Sequence, residues 1–212
     1  MKINFKKILN YLKTNKKFLF LSLFFFTLQF IIIYNNGLNN KDLYFWFCNH
    51  TPFLLGIFFL FKKIDYIKSL INFGFLAQLV WAIDFLSKII LGVHIFNITN
   101  YIFTKNFTYL TFVSIITHLF TMNLTLLYTI KYETKKITLL YSFFYILLIY
   151  FLTLYFTSPY NNINWIYNIG NEKKYDFYLY TYLWPFLTFT FLILPTYFIQ
   201  KYFYKNLKKV TF

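Results

Sequence analysis

The chain has 212 residues, 59% of them hydrophobic, 27% aromatic and 13% charged, with a net charge of +15. A soluble domain carries about 25% charged residues, so the composition rules out an ordinary soluble fold and indicates one polytopic membrane domain. All the basic residues are lysine and they cluster at the ends of apolar runs; this is membrane topology, and the arginine that base and phosphate readout favours is missing, so nucleic acid is not an expected partner.

Residues 1–17 hold Lys2, Lys6, Lys7, Lys13, Lys16 and Lys17, with Phe5, Ile8, Leu9 and Leu12 at helical spacing. The pattern predicts a basic amphipathic helix on the membrane surface. A signal peptide is the alternative, but no small-residue cleavage site follows the next apolar run. Residues 18–199 make up the membrane domain. Six apolar runs of about 17 to 24 residues match the ~30 Å hydrocarbon layer. They lie at 18–34, 43–61, 69–87, 107–130, 137–157 and 177–199. The expected fold is all-α, a membrane helix bundle of about six transmembrane helices. The stretch 88–106 stays open: Ile89 to Val93 extend the third span or belong to a further helix, and His94 to Asn106 read as a loop or surface helix. Residues 200–212 form a basic tail.

Lysine placement sets the orientation. The N-terminus, the 62–68 loop (Lys62, Lys63, Lys68), the 131–136 loop (Lys131, Lys135, Lys136) and the tail (Lys201, Lys205, Lys208, Lys209) hold 16 of the 21 lysines. The positive-inside rule then puts both termini in the cytoplasm, with the bundle in the plasma membrane. An even number of spans requires the same. The 158–176 loop, with Asn161, Asn162, Asn164, Asn168 and Asn171 around Trp165, falls outside.

Polar side chains inside a span are costly and mark candidate sites. The second run contains Trp46-Phe47-Cys48-Asn49-His50-Thr51-Pro52, with the only cysteine of the chain. One cysteine excludes an intrachain disulfide and a cysteine-based zinc site. Pro52 has no N–H, so the Cys48 carbonyl four residues back needs another donor. Cys48, Pro52 and Gly56 share a small-residue face suited to packing, and His50 lies about 200° round the helix from Cys48. In the third span Gly74, Ala77, Gln78, Trp81, Asp84 and Lys88 fall within about 120°. Asp84 and Lys88 are spaced for an ion pair; an acid facing a cavity is the competing reading. In the fourth span Thr111, Ser114, His118, Thr121 and Thr125 form a stripe within about 80°. Hydroxyls in such stripes bond their own backbone or glue helices together, whereas a mid-span histidine needs a partner. His94, in an outer segment, is expected to be solvated.

Three stretches, Trp46 to Pro52, Gln78-Leu79-Val80-Trp81-Ala82-Ile83-Asp84-Phe85-Leu86 and Asn162-Ile163-Asn164-Trp165-Ile166-Tyr167, resemble a family of uncharacterised prokaryotic multi-span membrane proteins. That resemblance covers roughly 43–200 and implies a six- or seven-helix fold without an established activity. More distantly, a second helix with cysteine and histidine followed by a later histidine helix is similar to animal transmembrane acyltransferases and related fatty-ester hydrolases. By that resemblance Cys48 would be the nucleophile and His118 the base.

Two functions follow. An enzyme acting on a lipid or acyl group in the outer half of the bilayer would use Cys48 and His118 as catalytic residues. His50, Asp84, Trp81, Asn164 and Trp165 would then bind substrate. A non-catalytic transporter, receptor or small-ligand binder would instead use the broken helices with Asp84 and His50. A metal held by His50, His118 and Asp84 stays open as a third arrangement, although their spacing matches no ligand motif. Membrane lipid is the expected partner, with a lipid or small molecule as substrate. The sequence does not specify a cofactor.

Overall fold

A computed structural model of the chain describes residues 14–36, 41–104, 109–167 and 178–210. The amphipathic helix expected over 1–17 falls outside them as far as residue 13, as does the 168–176 part of the asparagine-rich loop. The described regular elements are all helical. They are α1 (Lys16–Asn36), a 3-10 turn (Lys41–Phe45), α2 (Phe47–Leu60), α3 (Ile64–Leu91), α4 (Asn100–Thr104), α5 (Tyr109–Thr129) and α6 (Ile137–Phe156). Two 3-10 turns follow, Pro159–Asn161 and Ile163–Trp165, and then α7 (Tyr178–Thr188), a π turn (Phe189–Ile193) and α8 (Leu194–Val210). Pro195 has no N–H for the Phe191 carbonyl, and the wide π turn lies at this point.

Five helical stretches are long and apolar enough to cross a membrane: Lys16–Tyr34, Ile64–Leu91, Thr111–Thr129, Ile137–Phe156 and Leu179–Lys209. Their outer faces carry large apolar side chains such as Phe20, Phe30, Leu127 and Phe151, each more than 60% exposed. Water would not tolerate so much contiguous apolar surface, whereas lipid covers it at no cost. The chain is thus an all-α helical membrane bundle. Helix α3 is its hub, packed against α2, α5, α6, the π turn and α8, while α1 packs along α2. Buried Phe25, Leu55, Phe59, Ile67, Ile71, Met122, Ile146 and Ile193 fill the space between them.

Several sequence expectations need correction. The second apolar run is not a continuous 43–61 helix. It begins as a 3-10 turn and becomes the 14-residue α2 only at Phe47. Phe47 packs on Phe73 and lies so close to Gly74 that a Cβ there would sit 2.2 Å from its ring. Any side chain at Gly74 would therefore displace the Phe47 ring, and α2 starts about 15 Å along α3 from Ile64. Hydropathy alone reads straight through this break because the 3-10 segment is itself mostly apolar. The third span is longer than 69–87: Ile89 to Leu91 extend it, and Gly92 ends it in a left-handed cap at φ 75°, its N–H bonding the Lys88 carbonyl at 3.1 Å. Within 93–104 there is an irregular segment and the short α4, not another membrane helix. Lys68 is not a loop lysine; it lies inside α3 with its side chain fully buried.

The ends that carry the lysines come together. Lys62 Nζ lies 5.0 Å from the Phe18 ring centre, Phe18 packs on Tyr132, and Lys135 pairs with Asp65 at 3.4 Å. The start of α1, the α2–α3 turn and the α5–α6 turn thus share one end of the bundle.

Candidate functional site

The expected site residues fall into three separate settings. The first surrounds the start of α2. Two segments dip into the bundle here, residues 41–46 and 158–167, and Ile163 and Ile166 of the second are buried. Asn164 joins them: its Oδ1 accepts from the Phe47 N–H at 2.8 Å and its Nδ2 donates to the Phe45 carbonyl at 2.8 Å. One amide side chain thus caps the helix and holds the incoming strand of chain. The backbone is left-handed at Asn162, Asn164 and Trp165, with φ of 41°, 54° and 55°. Asparagine tolerates that region, but a tryptophan there is strained, by about 1–3 kcal/mol. The Tyr180 hydroxyl donates to the Trp165 carbonyl at 2.9 Å and holds it in place. His50 bridges the same setting. Its Nδ1 lies 3.0 Å from the Tyr44 carbonyl and its Nε2 bonds the Tyr145 hydroxyl. An Nδ1 facing a carbonyl must carry the proton, so Nε2 accepts from Tyr145. Asn49 donates to the Leu43 carbonyl at 2.8 Å. Cys48 is half-buried, and its thiol meets the Asn49 Oδ1 at 3.6 Å. Among the described residues it has no hydrogen bond to a histidine, so the contact expected of a Cys48–His118 dyad is not made.

The second setting is Asp84, fully buried, which does not pair with Lys88. Oδ1 accepts from the backbone N–H groups of Phe96 (2.7 Å) and Asn97 (3.1 Å). Oδ2 accepts from the Thr99 N–H (2.9 Å) and hydroxyl (2.7 Å), and His94 Nδ1 lies 3.3 Å away. Lys88 reaches the other way and donates to the Gly92 carbonyl at 2.8 Å. His94 is not solvated either: its side chain is 10% exposed and its ring meets Phe103. The i,i+4 spacing favoured a Lys88 pair, but a folded-back loop offers the carboxylate four donors at shorter range. Such donors leave no mark in the sequence. Asp84 is the anchor of the 93–99 loop, and it has no acceptor capacity left for a substrate.

The third setting is the seam between α3 and α5. Trp81 lies between Phe85 and His118, its ring 4.4 Å from that of His118 with the planes 17° apart. Its indole N–H donates to the Tyr101 hydroxyl at 3.3 Å, which in turn lies 3.0 Å from Ser114 Oγ. His118 Nδ1 donates to the Ser114 carbonyl at 2.8 Å, which leaves the Nε2 lone pair free among the described residues. One turn away, Gln78 Oε1 accepts from the Met122 backbone N–H at 3.1 Å. The other end of that amide, Gln78 Nε2, is buried without a partner among the described residues, as is the Thr121 hydroxyl next to Met122. Thr125 bonds the Thr121 carbonyl, serving its own helix as expected, and Thr129 bonds the Thr125 carbonyl in the same way.

The seam brings together Trp81 and His118 of the expected residues. It does not bring in His50, Asn164 or Asp84, and among the described residues no three of His, Cys, Asp and Glu gather as metal ligands. Sequence reasoning missed Tyr145, Thr99 and Tyr101, which are polar tips on common residue types. Gln78 was visible on the polar face of its helix, and a glutamine in an apolar span is signal enough to single it out. Comparison with protein-family models, with curated proteins and with solved structures finds no match to this chain.

Proposed function

We propose that this is a non-catalytic protein of the plasma membrane, with both termini cytoplasmic, that binds a small uncharged solute at the α3–α5 seam as a transporter or receptor. The observation behind this reading is a pair of polar atoms there, Gln78 Nε2 and Thr121 Oγ1, buried without a partner among the described residues; His118, whose Nδ1 is taken by Ser114, adds a second ring nitrogen to the same seam. A buried polar group left unpaired costs about 1–3 kcal/mol. A ligand that offers one acceptor and one donor, such as an alcohol or an amide, recovers that cost. A charged ligand would find no free counter-ion, because the Asp84 oxygens are already engaged. Trp81, stacked on His118, gives the seam an aromatic neighbour beside the polar atoms, and polar groups set among aromatic side chains are the usual make-up of a small-molecule site. Acyl transfer through Cys48 needs a thiol–imidazole contact, and the thiol's partner is Asn49.

The test replaces Trp46, Trp165 and Trp184 by phenylalanine, so that Trp81 alone reports. Titration with small alcohols, amides and polyols in detergent should give a saturable change in its emission, lost in Gln78→Leu. A response that never saturates, or one that Gln78→Leu leaves intact, defeats the reading.

A further inference from the structure

We infer that the lysine-rich end of the bundle holds a second site, a cleft that binds the phosphate group of an anionic ligand. The cleft lies between the α2–α3 turn and the α5–α6 turn and encloses about 530 Å³. Lys62, Lys63 and Lys135 line it, against Asp65 and Glu133. Asp65 is engaged by Lys135 at 3.4 Å. Lys62 lies at the rim with its Nζ over the Phe18 ring, Lys63 is the lining cation with no ion pair among the described residues, and the three lysines outnumber the two carboxylates by one. A tight turn sets the two lysines side by side. Lys62 stands in the left-handed position where a helix commonly ends on glycine, with φ 53°. The Lys62 and Lys63 N–H groups close α2 on the carbonyls of Phe59 (3.1 Å) and Phe58 (2.8 Å).

A second observation lies behind the wall. Lys68, one turn beyond Asp65 on α3, is fully buried, and its Nζ bonds Thr134 Oγ1 at 2.9 Å and Gln200 Oε1 at 3.4 Å. Both acceptors are neutral, and among the described residues no carboxylate lies within ion-pair distance of this ammonium. Thr134 sits between Glu133 and Lys135 of the cleft wall. A buried cation without a counter-ion is costly, and solvent screens its field only weakly. Asp65, three residues earlier on the helix, acts on this ammonium from a distance but is shared with Lys135; an anion in the cleft adds to that compensation. Lysine binds phosphate as a point charge, without the planar fit of arginine. The stacked Tyr66 and Tyr141, with ring centres 4.4 Å apart, give the cleft a flat wall for the rest of the ligand. Because the cleft lies where helices end, it stands at headgroup level, within reach of the phosphate of an anionic phospholipid and of a soluble ester alike.

The test uses the full chain in detergent micelles. Short-chain phosphatidylglycerol, phosphatidylcholine, glycerol phosphate and inorganic phosphate are titrated, with bound adducts counted by native mass spectrometry and the melting midpoint followed. Phosphatidylglycerol or the soluble phosphates should bind, and phosphatidylcholine, whose choline cancels the charge, should bind more weakly. Binding of phosphatidylglycerol alone assigns the lipid as source; binding of the soluble probes alone assigns a soluble ester. Lys62→Gln with Lys63→Gln should weaken binding by about fivefold per lysine, while Lys205→Gln on the exposed tail of α8 should not. If the double variant does not fold, Lys135→Gln is read in its place. The absence of binding by any of these probes, or binding unchanged in a folded cleft variant, overturns the inference.

Discussion

Trp81 and His118 stack face to face across the α3–α5 seam, their ring centres 4.4 Å apart. The contact fixes the imidazole in one orientation, with Nδ1 on the Ser114 carbonyl. Trp81 is 6% exposed, so Trp81→Ala removes a large buried ring. It should cost about 3–5 kcal/mol, whereas Trp81→Phe keeps the stack and loses only the bond to Tyr101. A melt in one detergent, comparing the two variants, checks this; equal loss would mean that the indole N–H matters more than the stack.

Asp84→Asn keeps the size of the side chain but sets an NH2 against backbone N–H donors. Several charge-assisted bonds are lost together, each worth about 1.5–3 kcal/mol. The 93–99 loop should open and become cleavable by protease under conditions where the wild-type chain resists. His94→Ala should do far less, since four donors remain on the carboxylate. Equal protease sensitivity in both variants would remove Asp84 as the anchor.

Much of the helical architecture could be read from run length and charge, because the bilayer fixes both: α1, α5 and α6 lie close to the expected spans. What could not be read is where backbone groups supply the chemistry. The Asp84–Lys88 spacing pointed to a pair, but the N–H groups of Phe96, Asn97 and Thr99 compete better, and any residue can supply an N–H. Lys68 looked like the third lysine of a loop because Lys62 and Lys63 precede it, yet the helix had already begun at Ile64. The α2 break was hidden by its own apolarity. The stripe of Ser114, His118 and Thr121 was legible from period alone, and the Trp81 face of α3 likewise; that these two faces meet needed the tertiary fold.

Asn164 offers a test of the α2 break. Asn164→Asp retains the acceptor for the Phe47 N–H and loses the donor to the Phe45 carbonyl. Asn164→Leu loses both, and a branched side chain is also poorly suited to φ 54°. The leucine variant should be the less stable by about 1–2 kcal/mol. Thermal melts that rank the two in the opposite order would show that the cap contributes nothing.

Orientation is open to labelling. In a Cys48→Ala background, the proposed orientation, with the lysine-rich end in the cytoplasm, requires that Ser158→Cys react with a membrane-impermeant maleimide in intact cells and Lys135→Cys only after permeabilisation. The reverse pattern inverts the protein in the membrane.

Gln200 ties α8 to α3. Its Nε2 donates to the Lys68 carbonyl at 3.1 Å and to Asn72 Oδ1 at 2.6 Å, and its Oε1 accepts from Lys68 Nζ. Asn72 continues the network to Ser142 at 3.1 Å. Gln200→Leu leaves the buried ammonium with Thr134 alone, and losing a hydrogen bond to a charged group costs about 1.5–3 kcal/mol. Lys68→Met removes the charge instead, at the smaller cost of two bonds to neutral acceptors. The double variant should therefore be more stable than Gln200→Leu alone, because the stranded charge has gone. This is a strongly non-additive cycle for two residues in contact. Denaturation of all four proteins in the same detergent measures it. Additive losses would mean that the Lys68 ammonium draws its compensation from elsewhere, and would remove Gln200 as its partner.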